Sequence, residues 1–193
     1  MIRTCIDYER YGHILAMLPM YDETGEYVWT IYDDRASVRE AVTMHTALER
    51  VARAFGYDLP RMRALARQVF GRSRQELPLA FAPYFILVPF RFRAPRVKGD
   101  ATLAYFNFPH IADVAPMQPL TGPQDGAEEG GSTMAVCLDN GQQFPVRNNF
   151  TSARNNFTSA RNHFRDGIAA RDHLLGVINA CGFVTERALA AVS

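Results

Sequence analysis

Several residue types that stabilise small proteins or carry chemistry are scarce in this sequence. Its three cysteines among 193 residues, Cys5, Cys137 and Cys181, lie far apart, with no Cys-x-x-Cys motif and no nearby pair of histidines. Neither a disulfide framework nor a zinc site is predicted, and buried thiols are the simpler interpretation. No apolar run approaches the ~20 residues that span a bilayer, and no signal-peptide core follows Met1. We therefore expect a cytoplasmic protein without a membrane partner.

The motifs of common enzyme classes are also absent. The sequence contains no Gly-x-Ser-x-Gly, no His-Glu-x-x-His, no phosphate loop and no dinucleotide-binding glycine pattern. Its five histidines are scattered, and such histidines are more often surface or core residues than bases. His110 would need Asp100 and Asp113 in the same pocket to act in acid–base catalysis. We predict that the protein is not an enzyme and has no cofactor and no metal site.

Charge, by contrast, is abundant and strongly segregated along the chain. Residues 1–49 carry a net charge of −5, residues 50–98 carry +9, residues 99–146 carry −6 and residues 147–193 carry +3. Lys98 is the only lysine, so nearly every cation is an arginine. Arginine presents a planar fork that chelates phosphates and base edges, although a GC-rich genome would favour arginine as well. The basic block predicts a surface that faces a polyanion.

Hydrophobic periodicity and turn residues predict an α+β protein in which a mainly antiparallel sheet is flanked by helices. Turn chemistry at Asp22–Gly25 and at Asp139-Asn140-Gly141 indicates two β-hairpins. Ser37, with Glu40 three residues on, is the expected N-cap of the first helix. The predicted sheet draws on residues 11–32, 84–108 and 135–146, and the predicted helices are 37–55, 60–70 and 150–180. We expect one domain over 1–193, with a flexible acidic insertion rich in glycine and proline at 115–133.

A verbatim repeat follows the second hairpin. The seven residues from Asn148 to Arg154 recur as residues 155–161, and a third copy begins at residue 162. Seven residues are nearly two helical turns, so a duplication of this length preserves the faces of a helix but would reverse those of a strand. The repeat therefore favours a helix, on which Arg154 and Arg161 share a row. Its role is left open.

The candidate DNA-binding residues come from the basic block, where aromatic residues are interleaved. We expect the second helix and its following turn to share one surface with the strand junction after residue 90. The alternative is that the aromatics belong to the core and the arginines only solubilise a surface. The weaker candidates are Arg154 and Arg161, and the principal ones are Arg61, Arg63, Arg67, Arg72, Arg74, Arg91, Arg93, Arg96 and Lys98.

Read in order, four landmarks resemble the ComK family of competence transcription factors. They are Tyr-Glu to Leu-Pro at residues 8–19, Ala-Arg-Ala-Phe-Gly at 52–56, the basic-proline junction at 82–96, and the hairpin at 136–146 that leads into the repeat. The sequence departs from the family pattern at residues 51–53, 56–58 and 105–107, which bears on DNA sequence preference. The acidic insertion and the repeat are additions.

The resemblance implies a nucleoid-associated transcriptional activator that binds AT-rich boxes of double-stranded DNA through the minor groove. It also implies a homo-oligomer that switches on DNA-uptake genes and a proteolytic adaptor that controls its turnover, although the C-terminal segment for that adaptor has no evident counterpart after Cys181. The alternative is a non-enzymatic protein-interaction module, or a decayed regulator, that oligomerises through its charge-segregated surfaces.

Overall fold

The computed structural model describes most of the chain between residues 11 and 165. The described residues are 11–33, 36–70, 77–82, 84–116, 134–148 and, further on, Thr151, Arg154, Asn155, Thr158, Arg161, Asn162 and Arg165. They form an α+β fold, as predicted. Its elements are β1 (Ile14–Asp22), β2 (Gly25–Tyr32), β3 (Ser37–Glu40), α1 (Met44–Ala54), α2 (Leu59–Phe70), β4 (Leu79–Ala82), β5 (Phe85–Arg91), β6 (Leu103–Asn107), a 3-10 turn (Phe108–His110), β7 (Ile111–Pro116), β8 (Met134–Leu138) and β9 (Gln143–Val146).

Six strands form one antiparallel sheet in the order β3-β2-β1-β6-β5-β4, and β7, β8 and β9 form a second, three-stranded sheet. The predicted β1–β2 hairpin is confirmed, with Asp22 opposite Gly25 at the turn. The Asp22 carboxylate accepts hydrogen bonds from the Thr24 backbone N–H at 2.7 Å and from the Thr24 hydroxyl at 2.6 Å. Gly25 has a φ of +122°, a region that side chains disfavour. The turn residues thus fix where the first hairpin folds back.

The large sheet is the middle of three layers. One face packs against α1 and α2, and the other packs against the small sheet. Along β5, Phe85 and Leu87 point toward the helices, while Ile86 and Val88 point toward the small sheet. All four are fully buried. A strand that is covered on both faces has no polar side, which explains the continuous apolar run that the sequence shows here.

The expected start of the first helix is wrong. Ser37–Glu40 is an edge strand that pairs with β2, placing Val38 opposite Thr30. The helix begins later, where the Thr43 hydroxyl accepts a hydrogen bond from the Thr46 backbone N–H at 3.2 Å. The free edge of β2 offers backbone partners to residues 37–40, and this tertiary pairing outweighs the local helix signal.

The second hairpin occurs as predicted, but it does not join the large sheet. Its strands pair with β7 instead, because the Phe108-Pro109-His110 turn redirects the chain after β6. His110 also holds the hairpin turn, since its carbonyl accepts the Asp139 N–H at 3.0 Å and its Nδ1 lies 2.9 Å from the Asp139 carboxylate. Residues 115 and 116 of the expected insertion belong to β7, and residues 117–133 lie outside the described part of the chain.

Asn148, the first residue of the repeat, is buried and not helical, and its side-chain oxygen accepts the Arg91 backbone N–H at 2.5 Å, whereas the described residues from Thr151 onward are helical. Thr151, Arg154, Thr158, Arg161 and Arg165 are all helical and all exposed. The rest of the predicted helix at 150–180, including its phenylalanine stripe, lies outside the described residues. Within the described ranges, no helix is long and apolar enough to cross a membrane.

Candidate nucleic-acid interface

Two turns lie side by side at one end of the large sheet. Because β6 runs antiparallel to β1, the start of β6 is next to the end of β1, and the loop between β5 and β6 meets the β1–β2 turn. The loop is closed at its base, where the Phe92 N–H donates to the Thr102 carbonyl at 2.8 Å. The basic segment that the sequence singles out is therefore an ordered hairpin loop.

Arg93 is the anchor of this loop rather than a surface cation. Its Nη2 lies 3.1 Å from Glu26 Oε2, and its Nε–H donates to the Ala101 carbonyl at 2.8 Å. The side chains of Arg93 and Glu26 are only 13% and 14% exposed. Desolvation by burial lowers the pKa of Arg93, and the nearby Glu26 carboxylate offsets part of that effect. The structure thus turns Arg93 inward, into contact with Glu26 and the Ala101 carbonyl.

Tyr21 connects the two turns. The Arg93 guanidinium carbon lies 3.6 Å from the centre of the Tyr21 ring, and that of Arg96 lies 4.3 Å from it. The Tyr21 hydroxyl donates to the Asp100 carboxylate. Tyr21 and Glu26 are direct cross-strand neighbours in the β1–β2 hairpin, so both project from the same side toward the loop. The β1–β2 hairpin therefore holds the β5–β6 loop in place.

The end of the loop is exposed and basic. Arg96, Val97 and Lys98 are all exposed, and Val97 at 66% is the most exposed large hydrophobic side chain of the described residues. The Asp100 carboxylate accepts the backbone N–H groups of Arg96 at 2.9 Å and of Val97 at 2.8 Å. The backbone of the exposed segment is fixed by these bonds, while Arg96 and Lys98 remain accessible to solvent.

The arginines of α2 divide between two sides of the helix. Arg63 and Arg67 are one turn apart and therefore share a side, whereas Arg61 lies on the opposite flank with Leu65. The Asp58 carboxylate accepts the Arg61 backbone N–H at 3.0 Å and so caps the start of the helix. Arg61 and Arg67 are exposed and Arg63 is half-buried. The helix thus contributes Arg63 and Arg67 to one surface, and Arg61 to another.

The helix α2 and the β5–β6 loop line the same cavity, which has a volume of about 390 Å³. It lies over the start of β6, and Arg63 lines it together with Gly99, Asp100 and Leu103. Arg91 is exposed and is opposite Leu103 in the β5–β6 register, so it lies on the same face of the sheet. The structure therefore brings Arg63, Arg91, Arg96 and Lys98 to one end of the helix-covered face.

The remaining sequence candidates are placed as follows. Arg154 and Arg161 are exposed and one heptad apart on the helical segment. Arg72 and Arg74 lie outside the described residues. Sequence reasoning missed Tyr21 and Glu26, and it considered Asp100 only as a partner of His110, whereas all three organise the loop. Their role follows from two hairpins meeting in space, and no local pattern signals it.

The alternative acid–base group is not assembled. Asp100 precedes β6 and His110 follows it, so the strand separates them, and His110 pairs with Asp139 instead. Asp113 lies opposite Cys137 in the small sheet. Among the described residues, no group of three or more histidine, cysteine, aspartate or glutamate side chains is placed to hold a metal ion.

No protein-family model matches the chain, and no curated protein and no solved structure matches it either.

Proposed function

We propose that this protein is a DNA-binding transcriptional regulator whose contact surface is formed by exposed cations of α2 and of the β5–β6 loop. The proposal rests on one observation. Some of the basic residues form ion pairs within the protein, and others form none with a described residue. Arg39, Arg50 and Arg93 pair with Asp22, Glu40 and Glu26 respectively. No such pair with a described residue is made by Arg61, Arg63, Arg67, Arg96 or Lys98.

Cations that have no carboxylate partner among the described residues are available to bind a negatively charged ligand. A DNA duplex presents phosphates at short, regular spacing, and each phosphate neutralised by the protein releases condensed counterions. Arginine also enters a narrow AT-rich minor groove, where negative potential is concentrated. The carboxylates of Asp22, Glu26 and Asp100 at this end of the sheet already have donors within the protein. They therefore compete little with phosphate for Arg96 and Lys98.

The resemblance to the ComK family extends the proposal beyond bare DNA binding. We infer that the target is an AT-rich promoter box, that the protein acts as a homo-oligomeric activator, and that the genes it switches on serve DNA uptake. The resemblance supports these points, and the geometry bears on DNA contact alone.

The proposal is tested by titrating a fluorescent duplex at several salt concentrations and following anisotropy. If the cations Arg63, Arg67, Arg91, Arg96 and Lys98 contact phosphates, the logarithm of affinity falls with the logarithm of salt at a slope of about −4 to −5. Arg63→Ala and Arg67→Ala each flatten the slope by about one unit. Arg50→Ala is the matched control, since Arg50 already pairs with Glu40.

Two results would overturn the proposal. One is the absence of binding to any duplex at low salt, together with weak retention on heparin. The other is a slope near zero. If the protein instead self-associates and Arg63→Ala or Arg67→Ala disperses it, the basic surface serves oligomerisation and the protein is an interaction module.

A further inference from the structure

We propose that residues 95–100 form a preorganised tip that enters the DNA minor groove, with Val97 as an apolar wedge and with Tyr21, Glu26 and Asp100 as positioning residues. This inference rests on the proposed DNA-binding function. It adds the element that enters the groove and the residues that hold it in shape.

The tip has a defined backbone. The Asp100 N–H donates to the Val97 carbonyl at 3.3 Å, while the Asp100 carboxylate accepts two N–H groups from the other side of the turn. Gly99 has a φ of +104°, which disfavours any residue with a Cβ. An added Cβ would meet no atom within 4 Å, so glycine is needed here for conformation and not for space. A fixed turn loses little entropy when it binds.

The tip is also held from behind. Glu26 Oε2 accepts the Ala101 N–H at 3.1 Å and lies 3.1 Å from Arg93 Nη2, so one carboxylate group ties both ends of the loop to β2. The Tyr21 hydroxyl donates to Asp100, the residue that organises the turn. The guanidinium groups of Arg93 and Arg96 both lie over the Tyr21 ring. Tyr21 therefore orients Arg96 through its ring and the turn through its hydroxyl.

The chemistry of the tip fits a minor groove better than an acidic protein surface. Val97, which at 66% is the most exposed large apolar side chain of the described residues, lies between Arg96 and Lys98 in the chain. Minor-groove proteins combine cations that follow the negative groove walls with an apolar side chain placed against the bases. The groove is about 6 Å wide, which admits a single turn but not a helix. An acidic protein partner would pair with Arg96 and Lys98 but would gain little from contact with the Val97 side chain.

The positioning role is tested with Tyr21→Phe, which removes the hydroxyl but keeps the ring and every charge. We expect affinity for an AT-rich duplex to fall about 3- to 10-fold, because Asp100 loses the Tyr21 hydroxyl donor and the Arg96 N–H loses an acceptor at 3.3 Å. The salt slope stays unchanged, and hydrogen exchange at residues 96–98 becomes faster. Tyr27→Phe is the matched control, since Tyr27 lies under Arg39 in the same hairpin and has no bond to the tip.

The wedge is tested with Val97→Ser, a change at an exposed position that leaves the core intact. AT-rich affinity is expected to fall about tenfold, with the salt slope and the melting temperature unaltered. Leu65→Ser, at a side chain that is 51% exposed on the Arg61 flank of α2, is the control and leaves binding unchanged.

The outcomes separate the two proposals. A wild-type protein that binds no duplex overturns the proposed function. A wild-type protein that binds DNA normally while Tyr21→Phe and Val97→Ser behave like their controls overturns the tip alone. Tight binding to an acidic polypeptide that depends on Arg96 and Lys98, with no effect of Val97→Ser, would assign the tip to a protein partner instead.

Discussion

Removing the Glu26 carboxylate is expected to destabilise the protein through the charge that it leaves behind. In Glu26→Ala, Arg93 keeps its buried guanidinium without a counter-ion, and the Ala101 N–H loses its acceptor. Breaking a fully buried pair costs about 3–5 kcal/mol. Both side chains here retain 13–14% exposure at a loop, so water reaches them in part. We therefore expect a loss of about 2–3 kcal/mol in the free energy of unfolding.

Urea unfolding followed by circular dichroism measures this loss directly. For a chain of this size, the same loss corresponds to a fall of about 5–10 °C in melting temperature. The matched control is Arg50→Ala, because the Arg50–Glu40 pair is longer, at 3.6 Å, and its side chains are 44% and 23% exposed. Breaking it is expected to cost less than about 0.5 kcal/mol.

A double-mutant cycle isolates the pair itself. Arg93→Ala in the Glu26→Ala background removes the orphaned charge, so the double variant should be more stable than the two single losses predict, by about 2 kcal/mol. Additive losses, or a Glu26→Ala variant as stable as Arg50→Ala, would refute the claim that Arg93 is a structural residue.

Three further predictions concern the fold. Phe85→Ala should lower the free energy of unfolding by about 3–5 kcal/mol, because Phe85 is fully buried and stacks on a neighbouring ring with centroids 4.8 Å apart; denaturant unfolding checks this, and a loss below that of a surface change would contradict the core. Thr43→Ala should lower the free energy of unfolding by about 1 kcal/mol through the lost helix cap, whereas Ser37→Ala should be nearly neutral. Thermal melts measure both, and equal effects would support the predicted helix that begins at Ser37. Burial raises the pKa of the Cys137 thiol, and the nearby Asp113 carboxylate raises it further. Iodoacetamide should therefore label Cys137 slowly at pH 8 and faster in Asp113→Asn, as measured by peptide mass mapping. Rapid labelling of Cys137 in the wild-type protein would contradict the geometry of the small sheet.

Features encoded by a few neighbouring residues could be predicted from the sequence. The turns at Asp22–Gly25 and Asn140-Gly141 locate both hairpins because their chemistry admits few backbone conformations. The start of α1 could not be predicted in the same way. Ser37 and Thr43 are both good caps, and only the exposed edge of β2 decides that residues 37–40 pair as a strand.

The candidate site likewise has one part that could be predicted from the sequence and one part that depends on contacts with distant residues. The run of cations from Arg91 to Lys98 is visible in the sequence as a basic segment, and its loop position follows from the flanking strands. The difference between Arg93 and Arg96 is not visible, because it depends on Glu26 and Tyr21 from a distant hairpin. A sequence shows which residues carry charge, and the fold decides which of those charges are already neutralised.

The most direct measurement of the central claim is a pair of anisotropy titrations of the wild-type protein, with an AT-rich and a GC-rich duplex of equal length. Each is repeated with netropsin, a small molecule that occupies the AT-rich minor groove. A groove-reading basic tip predicts tighter binding to the AT-rich duplex, displacement by netropsin from that duplex, and a steep dependence on salt. Equal affinities that netropsin leaves unchanged, or no binding to either duplex at low salt, would contradict it.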